Sequence, residues 1–146
     1  MRQQIVEAIQ ESLEQITIAN GYSSNIGLNV FEWLTEVLDQ NELPAVTFRD
    51  AGVEVVVYDT FQVKKKIVLD IELIVKETKN SVAAKSLRSM INDVLKNMKI
   101  FRDTRNDLIY NMIELGSDAT LNQSSRTLAG ALLKFELYYI TNSYAE

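Results

Sequence analysis

Asp70 and Glu72 stand two apart in a run of strand-forming residues, so both carboxylates face one side of a strand. Oxygens paired in that way can hold a hard cation such as Mg²⁺. The plainer reading is that they pair with Lys64, Lys66 or Lys76 and with charges on neighbouring strands. Lys64-Lys65-Lys66 is the only basic run. It could touch phosphate, but successive strand residues point to opposite sides, and three lysines make no broad patch. The plainer reading is salt-bridged or solvated lysines, which would also discourage strand-on-strand association at a sheet edge. Phe135, Tyr138, Tyr139 and Tyr144 could stack on bases. Parity assigns Phe135 and Tyr139 to the core face and Tyr138, with Val68 and Ile74, to the other. A second sheet face that is partly apolar fits a subunit interface.

Other chemistry is scarce. The chain has no histidine and no cysteine, which removes the usual acid-base group, the thiolate nucleophile and the common zinc ligands. Gly21, Gly27, Gly52, Gly116 and Gly130 are too scattered for a phosphate-cradling loop, and no serine sits in a nucleophile-elbow pattern. The expectation is a protein that is not an enzyme and uses no cofactor or metal. A net charge of −5 argues against a dedicated nucleic-acid binder or an anionic membrane as partner. The amino terminus lacks the apolar stretch of a signal peptide, and no apolar run reaches the roughly 18 residues that span a bilayer. Synthesis and retention in a cytoplasm are expected.

With 146 residues, 47% apolar, the chain is long enough for one core. One proline and five glycines leave no linker, so residues 1–146 are expected to form one domain. Ile5, Ile9, Leu13 and Ile16 make one apolar stripe on a helix of about five turns that closes at Asn20-Gly21. The stretch from Ile26 to Leu38 reads either way. Asn29 and Glu32 have capping-box spacing, whereas Phe31, Trp33, Thr35 and Val37 would share a strand face. A polar loop follows at Asp39-Gln40-Asn41-Glu42, then Pro44 and a short strand from Ala45 to Arg49. Asp50-Ala51-Gly52 reads as a turn before Val53 to Tyr58, and Val63 to Lys76 alternates as a strand with one buried face. A second helix starts at Ser81 as N-cap, with Leu87, Met90, Ile91, Val94 and Met98 as its stripe. A turn over Arg102–Asn106, a strand over Leu108–Leu115, Gly116-Ser117-Asp118 and a last strand over Ala129–Tyr139 complete the chain. The expected class is α+β: a mixed, mainly antiparallel sheet with two helices on one face, in the order α-β-β-β-α-β-β.

Several segments in order resemble the tail terminator proteins of long-tailed bacteriophages and phage-like particles. They are the helix from Ile5 to Ala19 closing on Asn20-Gly21-Tyr22, then Gly27-Leu28-Asn29-Val30-Phe31-Glu32-Trp33, then Glu42-Leu43-Pro44-Ala45-Val46-Thr47-Phe48-Arg49-Asp50. The strand from Ile67 to Val75 and the ending Phe135-Glu136-Leu137-Tyr138-Tyr139 are similar too. The resemblance implies a strand in the ambiguous segment and a structural role in the virion tail, with synthesis in a host bacterial cytoplasm. Such proteins cap the tail tube as a six-membered ring, end its growth, and present the surface for the head-proximal connector. The implied partners are therefore further copies of the chain, the tail tube protein and the connector, with DNA passing through unbound. Where family members carry basic residues after the first strand's Val-Phe, this chain has Glu32-Trp33-Leu34. The expected contact residues are Arg49, Asp50, Glu54, Tyr58, Lys64, Lys66, Asp70 and Glu72, on or beside the hairpin that would meet a neighbour. Two other readings stand beside this one: a head–tail connector or neck subunit of similar fold, and a small cytoplasmic nucleotide- or metal-binding protein.

Overall fold

The computed structural model describes residues 1–33, 43–58, 61–77, 79–122 and 127–142. Helix α1 spans Arg2–Leu13 and α2 spans Asn80–Thr104; the strands are β1 (Val30–Glu32), β2 (Ala45–Tyr58), β3 (Gln62–Glu77), β4 (Asn111–Asn122) and β5 (Thr127–Asn142). They form an α+β fold with one five-stranded sheet in the order β1-β2-β3-β5-β4. The sheet is mixed: β1 lies parallel to β2, and every other pair is antiparallel.

Alternation decides which face is buried. Ile67, Leu69, Ile71 and Leu73 of β3 lie beside Leu137, Phe135, Leu133 and Ala131 of β5, and all are buried. Ile5, Ile9 and Leu13 of α1 and Leu87, Met90, Val94, Met98 and Phe101 of α2 join them in one core. Both helices thus cover the same face. Within that core Asn97 is only 2% exposed, yet it is satisfied. Its amide nitrogen donates to the Ser12 carbonyl at 2.8 Å and to the Tyr22 hydroxyl at 3.1 Å, while its oxygen accepts from the Ser12 hydroxyl at 2.8 Å. Asp93 accepts from Ser23 N–H and the Ser24 hydroxyl, pinning the next loop to α2. Buried polar groups with full partners of this kind fix the register of one helix against the other.

Several elements differ from the sequence expectation. The first helix ends at Leu13, not near Ala19, because Gly27 N–H comes in to bond the Ile16 carbonyl at 2.8 Å and occupies the path of further turns. A 3₁₀ turn over Ile18–Asn20 then closes on Gly21, whose φ of 90° suits glycine. The capping-box reading of Asn29 and Glu32 fails: a 3₁₀ turn over Ile26–Leu28 leads into the three-residue β1. Residues from Leu34 onward in that segment, with the Asp39–Glu42 loop, lie outside the described residues. The expected turn at Asp50-Ala51-Gly52 is a β-bulge inside β2, so two expected strands are one. Likewise Gly116, φ 111°, sits at a bulge within β4 instead of ending it. The second helix takes Lys79 as N-cap without a side-chain bond, placing Ser81 inside the helix, and it runs on through Arg102 to Thr104. Among the described residues no helix is long and apolar enough to cross a membrane.

Candidate interaction surface

The face of the sheet away from the helices is built from cross-strand rungs. Arg49, Asp70 and Lys134 are direct neighbours across β2, β3 and β5, so charge alternates along the rung. Arg49 Nη2 lies 3.3 Å from Asp70 Oδ2. Two rungs away Lys66 Nζ contacts Glu136 at 2.6 Å and Glu54 at 2.9 Å. Hydrogen bonding to Glu136 and then to Glu54 raises the Lys66 pKa against the opposing effect of burial, so the ammonium stays charged across the whole neutral range. Next to it the rings of Tyr110 and Tyr138 pack tilted by 49° with centres 6.0 Å apart, and Lys64 Nζ lies 5.6 Å from the Tyr110 ring. Val68, Ile74 and Leu132 on this face remain partly exposed.

At the β1 side the chain leaves the sheet at Trp33, which has φ 51°. A non-glycine residue in that region costs about 1 kcal/mol. Three contacts hold it there: Trp33 N–H to the Phe48 carbonyl at 2.9 Å, the indole N–H to Asp50 Oδ1 at 2.8 Å, and the Arg49 guanidinium over the ring at 5.8 Å. Asp50 also accepts from Arg2 Nε at 2.6 Å, which ties α1 to β2. Burial pushes the Asp50 carboxyl up, but the Trp33 and Arg2 hydrogen bonds outweigh it and hold the pKa below its ordinary value. A depressed carboxylate stabilises the fold above the unfolded pKa of about 3.9, and that contribution is lost as pH falls through the folded value. Asp50→Asn should therefore cost about 1–3 kcal/mol at neutral pH. Denaturant titrations from pH 7 downward should show the gap between wild type and variant closing only below about pH 4. A gap independent of pH would refute the assignment.

The β2–β3 hairpin continues beyond the helices. Val53 still touches the core, but Val55, Val56, Val57 and Phe61 are exposed, Val55 by 59% and Phe61 by 79%. Past Phe48 the outer edge of β2 has no strand beside it among the described residues. Large apolar side chains gathered beside a strand edge that no described strand pairs make a candidate interaction surface.

The expected contact residues divide accordingly. Arg49, Glu54, Lys64, Lys66, Asp70 and Glu72 share the open face, Asp70 as a buried member and the others at least partly exposed. Asp50 points to the helix side and is only 8% exposed, engaged by Arg2 and Trp33. The side chain of Tyr58, like Tyr144, lies outside what the structure describes. Asp70 pairs with Arg49, not with a lysine of its own strand, since Arg49 is its direct neighbour in register. Lys64–Lys66 guard no edge, because β3 is the middle strand. Phe135 and Tyr139 are buried, as parity requires. The apolar hairpin end has no local signal: Val55-Val56-Val57 reads as an ordinary strand, and only the reach of the helices shows that no described element covers it. Among the described residues no cluster of three or more acidic side chains is arranged to hold a metal ion. No protein-family model and no curated protein matches this sequence.

Proposed function

We propose that the chain is a structural subunit of a phage or phage-like tail, a tail terminator that closes the tube as a six-membered ring. The observation that carries this reading is the apolar end of the β2–β3 hairpin, exposed and covered by none of the described elements. A ring forms when one surface of each subunit meets a different surface of the next and the rotation closes. The hairpin end is the projecting half of such a contact, and the open sheet face, with its apolar patches and alternating charges, supplies a receiving half. The ordered resemblance to tail terminators gives the particle and the partners: tail tube protein on one side, head-proximal connector on the other, DNA passing through the hole unbound.

Deleting the gene should give overlong or headless tails in lysates viewed by electron microscopy. Normal tails would overturn the reading, and protein bound to heads of tailless particles would replace it with a connector role. In vitro, light scattering behind size exclusion and negative-stain images should find rings with a central hole once tube protein supplies a template.

A further inference from the structure

The helical layer carries opposite charges on its two helices, although the chain as a whole is acidic. Glu7, Glu11 and Glu14 lie on the exposed side of α1 and just past its end, within about one-sixth of a turn of each other at 3.6 residues per turn. The exposed side of α2 carries Lys85, Arg88, Lys96, Lys99 and Arg102. Both stripes meet some opposite charge inside the chain, though little of it as ion pairs: Arg105, held first by Asp107, also feels Glu11, and Lys96, Lys99 and Arg102 border a groove shared with Glu114 of β4. Among the described residues Lys85, Arg88 and Lys99 make no ion pair, and Arg102 meets only its neighbour Asp103. Lys96 rests on the Tyr22 ring at 4.8 Å. Glu7 and Glu14 accept only from the Gln3 and Gln10 amides. Between the two helices a groove lined by Ala8, Glu11, Phe101 and Arg105 exposes Ile100, 45% accessible.

We propose that two copies of the chain pair through these helical layers about a two-fold axis, the acidic side of each α1 lying along the basic side of the other's α2. The register follows from the contacts between α1 and α2. The helices run antiparallel, with Ser12 bonded to Asn97 and Ala8 beside Phe101. A two-fold axis parallel to the helices and passing over the groove keeps every residue at its axial level and exchanges the helices. It brings Glu14 and Glu11 of one copy over Lys96 and Lys99 of the other, and Ile100 onto its own symmetry mate, while Arg102, nearly opposite Ile100 around α2, turns toward β4. The result is an isologous contact with an apolar centre and a complementary charged rim. It stands apart from the ring reading, since it uses neither the hairpin nor the open sheet face.

Sedimentation equilibrium of the full chain at low and high salt tests it. The wild type should be a dimer at low ionic strength and shift toward monomer as salt screens the rim. Lys96→Glu with Lys99→Glu should weaken the dimer at least tenfold, and Glu11→Lys with Glu14→Lys should do the same. All four substitutions in one chain, or an equal mixture of the two double variants, should restore it. Circular dichroism of each variant separates lost pairing from lost folding, and the restored dimer of the four-fold variant is independent of either double variant's stability. A wild type that is monomeric at low salt, a dimer indifferent to both double variants, or failure of the four-fold variant to recover would overturn the proposal. So would retention of duplex DNA by the α2 face of a monomeric wild type.

Discussion

Gly27→Ala is expected to destabilise the protein by about 3 kcal/mol, the upper end for overpacking an interior. At this chain length that is a loss of about 10 °C in Tm. A β-carbon at this buried position would stand 2.7 Å from the carbonyl oxygens of Glu14 and Ile16 and 2.8 Å from that of Leu13. All three are backbone atoms at the end of α1, where no flexible side chain can yield. Gly27 N–H is also the donor to the Ile16 carbonyl, so relieving the clash by moving residue 27 gives up that bond and leaves a carbonyl of the first connection without its partner. Gly52→Ala is the control. It sits at the β2 bulge with nothing within 4 Å of the added carbon and no positive φ, so its effect should stay within about 0.5 kcal/mol. Urea titrations of both variants decide the matter, and equal midpoints would show that the close approach at Gly27 carries no weight.

That contrast marks what is legible in this sequence. Period-two alternation is strong in β3 and β5 because one face is wholly core, and both strands and their buried sides follow from it. The stripe of α2 is similarly plain. The end of α1 is not, because Ile16 continues the apolar stripe and is buried, yet the backbone beneath it has left the helix. What stops the helix is Gly27, eleven positions later, together with an amide from Asn97 on α2. Asp50-Ala51-Gly52 has turn composition, and a bulge needs the same small and flexible residues, so local pattern cannot separate the two. The deciding contact is Arg2 with Asp50, 48 positions apart. The candidate surface divides in the same way. Open-face residues could be named by parity, whereas the uncovered hairpin end depends on where the helices stop.

Val56→Asp with Phe61→Asp should abolish ring assembly while leaving the fold intact. Both side chains are exposed in the single chain, Val56 by 47% and Phe61 by 79%, so exchanging them for aspartate removes little buried area and should move stability by less than about 0.5 kcal/mol. At an interface the balance reverses. Covering a valine and a phenylalanine is worth about 1.5–3 kcal/mol each, and that gain is lost at every contact around the ring. A carboxylate carried into the same apolar contact adds a desolvation cost or forces the contact open. Because closure needs every joint, losses at successive contacts compound, and the variant should give no rings on a tube template. In cells it should reproduce the long-tail phenotype of the gene deletion. The helical-layer dimer should persist in this variant, since α1 and α2 are untouched, just as the charge-reversed variants should keep an intact hairpin end. Rings that still form from the double aspartate variant would move the subunit contact away from the hairpin, and a dimer lost along with them would show that the two surfaces are one.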